Sequence, residues 1–232
     1  MIWLDWDRLP SFMQTEEVRP YYDILSGKRA SLKLKRVFDF TAALIMLIIL
    51  ALPMLLIAIL IKLDSRGPVF YRQERITQYG REFRIHKFRT MVANADKIGT
   101  AVTVGNDSRI TRLGSRLRRM RIDEIPQLFD VLSGDMSFVG TRPEALKYVR
   151  KYRAEYYATL LLPAGITSET SIRYKDEEKV LDPAGDVDRI YVEEVLPGKM
   201  ELNLASVRKF GLLNDIMTML RTVSAVLGKD NK

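Results

Sequence analysis

Two adjacent acidic side chains, Asp123 and Glu124, follow a cluster of arginines in the segment RRMRIDEIP at residues 118–126. A second polar, turn-rich segment, GDMSFVGTRP, follows at residues 134–143. Carboxylates can attack phosphorus or bind a divalent cation, and arginines suit phosphate groups. Because an uncharged run of 22 residues lies upstream, at positions 40–61, the combination suggests phosphate chemistry on a lipid-linked substrate.

The composition limits which other groups can do chemistry. The chain of 232 residues has no cysteine and one histidine, which excludes disulfides, thiolate catalysis and cysteine or multi-histidine metal sites. Its net charge of +8 and pI near 9.6 indicate an anionic partner: phosphorylated substrate, anionic lipid or nucleic acid. Carboxylates, lysines and arginines must therefore carry any catalysis, together with an oxygen-liganded ion such as magnesium.

The acidic pair also has a purely structural interpretation. Asp123 is a favoured N-cap, Glu124 suits a first helical turn, and Pro126 is tolerated there, so a well-capped helix is predicted to begin near Asp123. In the functional interpretation, the free N–H groups of the same helix start hold a phosphate, and Asp123 forms an acyl-phosphate intermediate. From the residues alone the capped helix is the favoured of the two.

The run at residues 40–61 is long enough to cross about 30 Å of hydrocarbon as a helix. The pair Leu52-Pro53 lies near its centre and predicts a kink or break. Basic residues flank the run on both sides, which places both flanks in the cytoplasm by the positive-inside rule. A re-entrant helix that enters and leaves by one face is slightly favoured over a kinked span, and a buried core helix is the weakest alternative.

The remaining pattern predicts a helix-rich α+β fold associated with the membrane. Residues 69–76 and 82–88 are expected to form a β-hairpin, with His86 a bystander on its polar face. Lys87 and Arg89, near its end, are expected to be either solvated surface charges or contacts to a phosphate. A basic amphipathic helix is predicted over residues 109–120, suited to an anionic membrane surface, with nucleic-acid binding as its rival. Further helix is expected from Pro143 to about Leu161, and an apolar packing helix over residues 213–227.

Three parts are expected in the chain: an N-terminal extension at 1–34, a re-entrant membrane helix at 35–64, and a cytoplasmic catalytic domain with interfacial helices at 65–232. Trp3, Trp6 and Phe12 of the extension are expected either at the membrane interface or in a disordered tail.

Several motifs in the same order resemble the bacterial sugar transferases that are monotopic phosphoglycosyl transferases. The resemblance covers residues 35–210. Its landmarks are KRVFD at 35–39, the Pro-broken apolar run, DSRGPVF at 64–70, KFRTM at 87–91, DEIPQL at 123–128 and GDMSFVG at 134–140. This ordered set is far more specific than any one motif, and it reverses the preference for a merely capped helix start at Asp123.

The resemblance implies transfer of a sugar 1-phosphate from a UDP-sugar to undecaprenyl phosphate, with release of UMP. It gives Asp123 as the nucleophile that becomes a phosphosugar ester. Glu124 would help to bind Mg²⁺, with Asp123, or deprotonate the acceptor. Lys87 and Arg118 fall near the substrate phosphates, and Arg142-Pro143 near the nucleotide. The implied location is the cytoplasmic face of the bacterial inner membrane, in contact with lipid, without nucleic acid and compatible with a homo-oligomer.

The chain departs from the family pattern in several places. Leu52 replaces the serine that commonly precedes the membrane proline, and Thr141 replaces the first proline of a Pro-Arg-Pro motif. An acidic, tyrosine-bearing insert after PAGITS at 163–168 is a candidate for setting sugar preference. Two rival functions also stay open: a membrane-bound nucleotide-sugar hydrolase, and a non-catalytic basic protein that binds membranes or nucleic acid.

Overall fold

One helix of 36 residues organises the computed structural model, which describes residues 3–92, 95, 107–174 and 187–226. The helices α1 to α9 are Arg19–Ser26, Arg29–Asp64, Arg112–Arg119, Gln127–Ser133, Leu146–Val149, Glu169–Arg173, Val187–Ile190, Leu196–Arg208 and Leu212–Val226. The strands β1 to β4 are Phe70–Ile76, Glu82–Phe88, Met136–Val139 and Ala164–Thr167. The acidic insert after residue 174 lies largely outside the described residues.

The long helix α2 contains the whole apolar run. Its buried residues repeat at helical spacing, so they form one stripe against the rest of the chain. That stripe is Leu32, Lys35, Asp39, Ala43, Met54 and Ile61. On its other faces large apolar side chains are exposed, such as Ile48 and Leu63. Only 11% of its most apolar 18-residue stretch is buried, which argues against the core helix of a soluble protein.

The helix continues through Pro53, so the predicted break at Leu52-Pro53 is not seen. A proline costs the backbone one hydrogen bond and crowds the preceding turn, but it does not oblige the helix to end. The helix already begins at Arg29, within the segment expected to be an extension.

Both ends of α2 are attached to the same folded body by arginines. Arg36, near the start, donates to the carbonyl oxygens of Val131 and Leu132 at 2.6 and 2.8 Å, at the C-terminal end of α4. At the far end Arg89 donates to the carbonyl oxygen of Ser65 at 2.6 Å. The phosphate contact considered for Arg89 is therefore wrong: its guanidinium is buried and satisfies carbonyls that a helix C-terminus leaves open.

A buried polar cluster, here called the helix lock, joins α2 to β3 and α9. The Nζ of Lys35 donates to Asp215 Oδ2 at 2.6 Å and lies 3.9 Å from Asp39 Oδ2. Ser137 on β3 donates to the same Asp39 oxygen at 2.8 Å. Because these four residues come from positions up to 180 apart, the lock fixes the orientation of the apolar helix on the body.

The predicted hairpin is confirmed, with β1 and β2 antiparallel and Tyr71 paired with Lys87. Side chains alternate between the faces of a strand. Arg75 of β1 and Lys87 of β2 therefore lie on one face, and His86 lies on the other. The parallel pairing of β3 with β4 was not predicted.

Several helical expectations change. After Pro143 the chain forms the short helix α5 and then a 3₁₀ segment, Ala154–Leu161, rather than one continuous helix. The apolar side chains predicted to pack in the last helix are exposed on α9: Leu213, Ile216, Met217, Leu220 and Val223.

The N-terminal extension packs into the core, so the disordered tail expected as one alternative is wrong. Met13, Val18 and Leu25 are completely buried in the largest apolar cluster. Trp3 stacks on Tyr22 with ring centroids 5.1 Å apart, and Phe12 packs edge-on against Tyr157. Trp3 and Trp6 therefore pack against this cluster, whereas Phe12 contacts Tyr157 and stays 41% exposed.

Candidate active site

The acidic pair lies in a 3₁₀ turn, Ile122–Glu124, rather than at a capped helix start. The residue before this turn, Arg121, adopts the left-handed conformation with φ of 56°, which is uncommon for a residue with a side chain. Helix α4 begins only at Gln127, and neither carboxylate caps a backbone N–H. The tight turn therefore keeps both carboxylates available, and the N-cap interpretation of Asp123 is wrong.

Glu124 is held between two cations. Lys87 Nζ on β2 donates to its Oε1 at 2.8 Å, and Arg142 Nη2 donates to the same oxygen at 2.7 Å. Burial by itself would raise the pKa of Glu124, but the charges of Arg142 and Lys87 outweigh it and hold the pKa well below its usual range. Glu124 is therefore a fixed anion that joins the hairpin to the loop after β3.

Asp123 has a different environment, although it is the adjacent residue. Its side chain is buried, and Oδ1 has no hydrogen-bond partner in the described part of the chain. Burial raises the pKa of Asp123, and the charge of Glu124 adds to this, while Lys87, Arg118 and Arg121 oppose it. A carboxylate oxygen without hydrogen bonds keeps its lone pairs for a reaction partner.

Helix α3 brings Arg118 to this position through a close backbone approach. Thr111 caps α3 by accepting from the Gly114 N–H at 2.9 Å, and its own N–H donates to the Thr90 carbonyl at 3.0 Å. A Cβ on Gly114 would lie 2.0 Å from that carbonyl oxygen, so only glycine permits the approach. The helix thereby packs against the end of β2, and Arg118 acts electrostatically on Asp123.

Four residues predicted for the site therefore come together: Lys87, Asp123, Glu124 and Arg142, here called the catalytic cluster after the role proposed for them below. Arg118 contributes charge to it, and Pro143 follows Arg142 in the same loop. Leu52 and Pro53 lie within α2 and are not part of the cluster.

A model of the bacterial sugar transferases matches residues 30–229. The chain belongs to the bacterial sugar transferase family. This confirms the resemblance drawn from the motifs. The match includes nearly all of α2, the hairpin, the catalytic cluster and α9, so the site described above lies within the matched residues.

Two curated members of the family illustrate the proteins to which this chain is similar. The chain is 34% identical over 197 residues to the Aeromonas hydrophila UDP-N-acetylgalactosamine-undecaprenyl-phosphate N-acetylgalactosaminephosphotransferase. It is 36% identical over 200 residues to the Caulobacter vibrioides UDP-glucose:undecaprenyl-phosphate glucose-1-phosphate transferase. These alignments cover 84% and 85% of this chain, and they span 44% of the Aeromonas protein and 71% of the Caulobacter protein.

The structure also identifies a pair that the sequence interpretation missed. His86, taken as a bystander, has its Nδ1 2.6 Å from Asp130 Oδ1, and its backbone N–H donates to Oδ2 at 2.8 Å. Asp130 is buried, and burial raises its pKa while the hydrogen bonds from His86 lower it. Because His86 precedes Lys87 on β2 and Asp130 belongs to α4, the pair joins the strand that carries Lys87 to the helix that follows the acidic pair.

The carboxylates fit a magnesium ion of the kind the family resemblance implies. The described residues contain no group of three or more acidic or histidine side chains suited to a metal. Mg²⁺, however, is commonly held by one or two carboxylates together with substrate phosphates. Asp123, with its unpartnered buried Oδ1, and Glu124 next to it are the residues that would hold the ion.

Proposed function

We propose that this protein transfers a sugar 1-phosphate from a UDP-sugar to undecaprenyl phosphate through a covalent intermediate on Asp123. The observation that carries this proposal is the contrast between the two adjacent carboxylates. Glu124 is fixed by Lys87 and Arg142, whereas the buried Asp123 Oδ1 has no hydrogen-bond partner among the described residues. Such a pair provides one oxygen that can react and one anion that arranges the surrounding cations.

In the first step an oxygen of Asp123 attacks the phosphorus that bears the sugar. A bond forms between this oxygen and phosphorus, the bond from phosphorus to the bridging oxygen breaks, and its electron pair leaves with UMP. In the second step an oxygen of undecaprenyl phosphate attacks the same phosphorus. The Asp123–phosphorus bond then breaks, which regenerates the carboxylate and leaves a lipid-linked diphosphosugar.

The cations of the site lower the repulsion between an anionic nucleophile and an anionic substrate. Lys87 and Arg142 are held in place by Glu124, so they need not reorganise when the diphosphate arrives. Magnesium bound at Asp123 and Glu124 would neutralise further charge on the substrate phosphates. Since the pKa of Glu124 is far below its usual range, this residue is a weak base, and we assign it to positioning rather than to deprotonation of the acceptor.

The attachment of α2 supports a monotopic arrangement at the cytoplasmic face of the membrane. Arg36 and Arg89 tie the two ends of the helix to one folded body. A span that placed these ends on opposite faces would have to break one of the two attachments. The apolar faces of α2 would lie in one leaflet, next to a site that takes a lipid phosphate.

The relatives' names support the substrates but not the choice of sugar. They name N-acetylgalactosamine in the Aeromonas protein and glucose in the Caulobacter protein. Both names specify a UDP-linked donor and undecaprenyl phosphate, so we propose these two substrates for this chain and test the sugar directly.

The test is UMP release by the full chain held in nanodiscs, with magnesium, undecaprenyl phosphate and a panel of UDP-sugars. The variants are Asp123→Asn and, as a matched control, Asp23→Asn, which changes an exposed carboxylate on α1. We expect release with one or a few sugars, dependent on the lipid phosphate, lost in Asp123→Asn and unchanged in Asp23→Asn.

Two results would contradict the proposal. Release of UMP without undecaprenyl phosphate, accompanied by free sugar 1-phosphate, would favour the hydrolase. Full activity of Asp123→Asn would exclude the covalent intermediate even if the transfer itself is observed. Mass spectrometry of protein incubated with the donor alone tests the intermediate separately, by the mass of one phosphosugar.

A further inference from the structure

A second arginine, Arg75, lies beside the catalytic cluster. It stands on the face of the hairpin that also carries Lys87. The following residue, Ile76, donates its backbone N–H to the Glu144 carbonyl at 3.0 Å, which joins the end of β1 to the loop of Arg142. The guanidinium groups of Arg75 and Arg142 consequently act on each other electrostatically.

The charge of Arg75 is not neutralised by a direct ion pair. Its guanidinium donates to Gln73 Oε1 at 2.5 Å and to the Glu74 carbonyl at 3.0 Å, both of which are neutral acceptors. No carboxylate within the described ranges lies at ion-pair distance from it. Burial lowers the pKa of Arg75, and Arg142 adds to this, against the opposing charge of Glu144. A half-buried cation in this situation is costly unless an anion joins it.

Glu144 does not provide that anion, because other groups already hold it. Tyr191 donates to Glu144 Oε1 at 2.6 Å, and the buried Lys199 lies 3.3 Å from the same oxygen. Lys199 also donates to the Tyr191 hydroxyl at 2.7 Å. Tyr191 begins a π-helical turn, Tyr191–Val195, a type of turn that is frequent at functional sites. Glu144 therefore links the loop of Arg142 to Tyr191 and Lys199, and its charge is already paired.

We infer that Arg75 binds the phosphate of the nucleotide that leaves when Asp123 is loaded. This inference rests on the proposed function and adds a substrate-binding residue to it. The charges that act most strongly on Asp123 are those of Glu124, Lys87, Arg118 and Arg121, whereas Arg75 is coupled to Arg142. Arg75 is not among the charges that act most strongly on Asp123, and in an in-line displacement the leaving group departs on the side away from the nucleophile, where we assign Arg75.

The chemistry of the first step fits a cation at that position. When the bond between phosphorus and the bridging oxygen breaks, the electron pair stays on the nucleotide phosphate, so negative charge grows there. A preorganised cation on the leaving side stabilises this charge in the transition state. A planar guanidinium can donate two parallel hydrogen bonds to phosphate oxygens, which an ammonium group cannot do.

The test compares the binding of UMP with that of uridine to the full chain in nanodiscs, by isothermal titration calorimetry. The variants are Arg75→Gln, which removes the charge, and Arg75→Lys, which keeps it without the planar fork. Arg84→Gln is the matched control, since Arg84 is an exposed arginine of the same hairpin that faces the other way. The KM for undecaprenyl phosphate is measured in parallel.

We expect Arg75→Gln to weaken UMP binding at least about tenfold, the scale of a lost charge-assisted hydrogen bond, while uridine binding stays unchanged. Arg75→Lys should be intermediate and Arg84→Gln should match the wild type. UMP binding within twofold of wild type in Arg75→Gln would overturn the inference. So would a rise in the KM for undecaprenyl phosphate with UMP binding unchanged, because Arg75 would then serve the acceptor.

If Arg75→Gln unfolds, Arg75→Lys decides the question: the inference requires weaker UMP binding at unchanged uridine binding in that variant. The outcome is separable from that of the proposed function. Wild-type transfer to undecaprenyl phosphate tests the function, and the UMP affinity of the Arg75 variants tests this residue alone.

Discussion

The catalytic cluster and the helix lock are both built from two carboxylates and basic side chains, yet they differ in access and in charge balance. In the helix lock the side chains of Lys35 and Asp39 are 3% and 2% exposed, and one lysine serves two acids. In the catalytic cluster Lys87 and Arg142 are 22% and 33% exposed, and both pair with Glu124. The first cluster is closed, and the second is open on its cationic side.

Access and charge balance therefore distinguish ion pairs that only hold the fold together from ion pairs that can bind a substrate, and residue type alone does so less well. In the closed cluster the charges only stabilise the fold, because no anion from outside can reach Lys35. An open cluster in which two cations share one fixed anion can accept phosphate groups without rearranging. The following experiments test the contrast, beginning with the largest effect.

Asp123→Asn should abolish turnover, by about four orders of magnitude or more, as removal of a nucleophile does. The fold should not suffer. Because the pKa of Asp123 is raised in the folded chain, the native state prefers the protonated form, and the ionised carboxylate costs stability above the ordinary pKa of about 3.9. An equal or higher melting temperature at neutral pH is expected by differential scanning fluorimetry. A large fall in that temperature would show that Asp123 is structural.

Lys35→Met should have the opposite profile. It leaves Asp39 and Asp215 buried without their cation, which typically costs about 3–5 kcal/mol of unfolding free energy. Thermal unfolding in detergent measures the loss, and Lys33→Met, at an exposed lysine on the same helix, is the control. If both variants melt alike, the helix lock does not hold α2 to the body.

Glu124→Gln should slow the reaction by about two to three orders of magnitude, because Lys87 and Arg142 lose the anion that orders them. Its pH dependence is more informative. Asp123 must be ionised to attack, and burial raises its pKa, so the wild-type rate should fall as the pH drops through a pKa that lies above the ordinary aspartate value.

The charge of Glu124 contributes to that raised pKa, so the acidic limb of the rate profile should move to lower pH in Glu124→Gln but persist. Complete loss of the limb would instead mean that Glu124 is the titrating group. Its strongly lowered pKa argues against this, since Glu124 should stay ionised throughout the range in which Asp123 titrates.

The smallest effect is expected at the pair of His86 and Asp130. His86→Gln should lower the unfolding free energy by about 1.5–3 kcal/mol, the range for a hydrogen bond to a charged group. Activity should fall less than tenfold. Asp130→Asn is the milder companion, since one amide oxygen can still accept from the His86 backbone N–H. A loss of several orders of magnitude in turnover would move this pair from positioning into the chemistry.

Features that depend on residues close together in the sequence could be predicted from the sequence alone. Alternating side chains predicted both strands of the hairpin, and the uncharged run predicted the long apolar helix. The ordered motifs identified the family and indicated Asp123, Glu124, Lys87 and Arg142 as site residues. The structure brings these four residues together in one cluster. Composition excluded thiol and multi-histidine chemistry, because those residues are absent from the chain.

Only the tertiary structure decided how these residues differ in role. The local pattern made Asp123 a helix cap, but the left-handed Arg121 and contacts from β2 and the loop after β3 place it in a 3₁₀ turn. The pattern gave Arg89 and Lys87 the same expected role, whereas one satisfies the end of α2 and the other holds Glu124. Such outcomes depend on burial and on partners distant in the chain, and local periodicity contains no information about either.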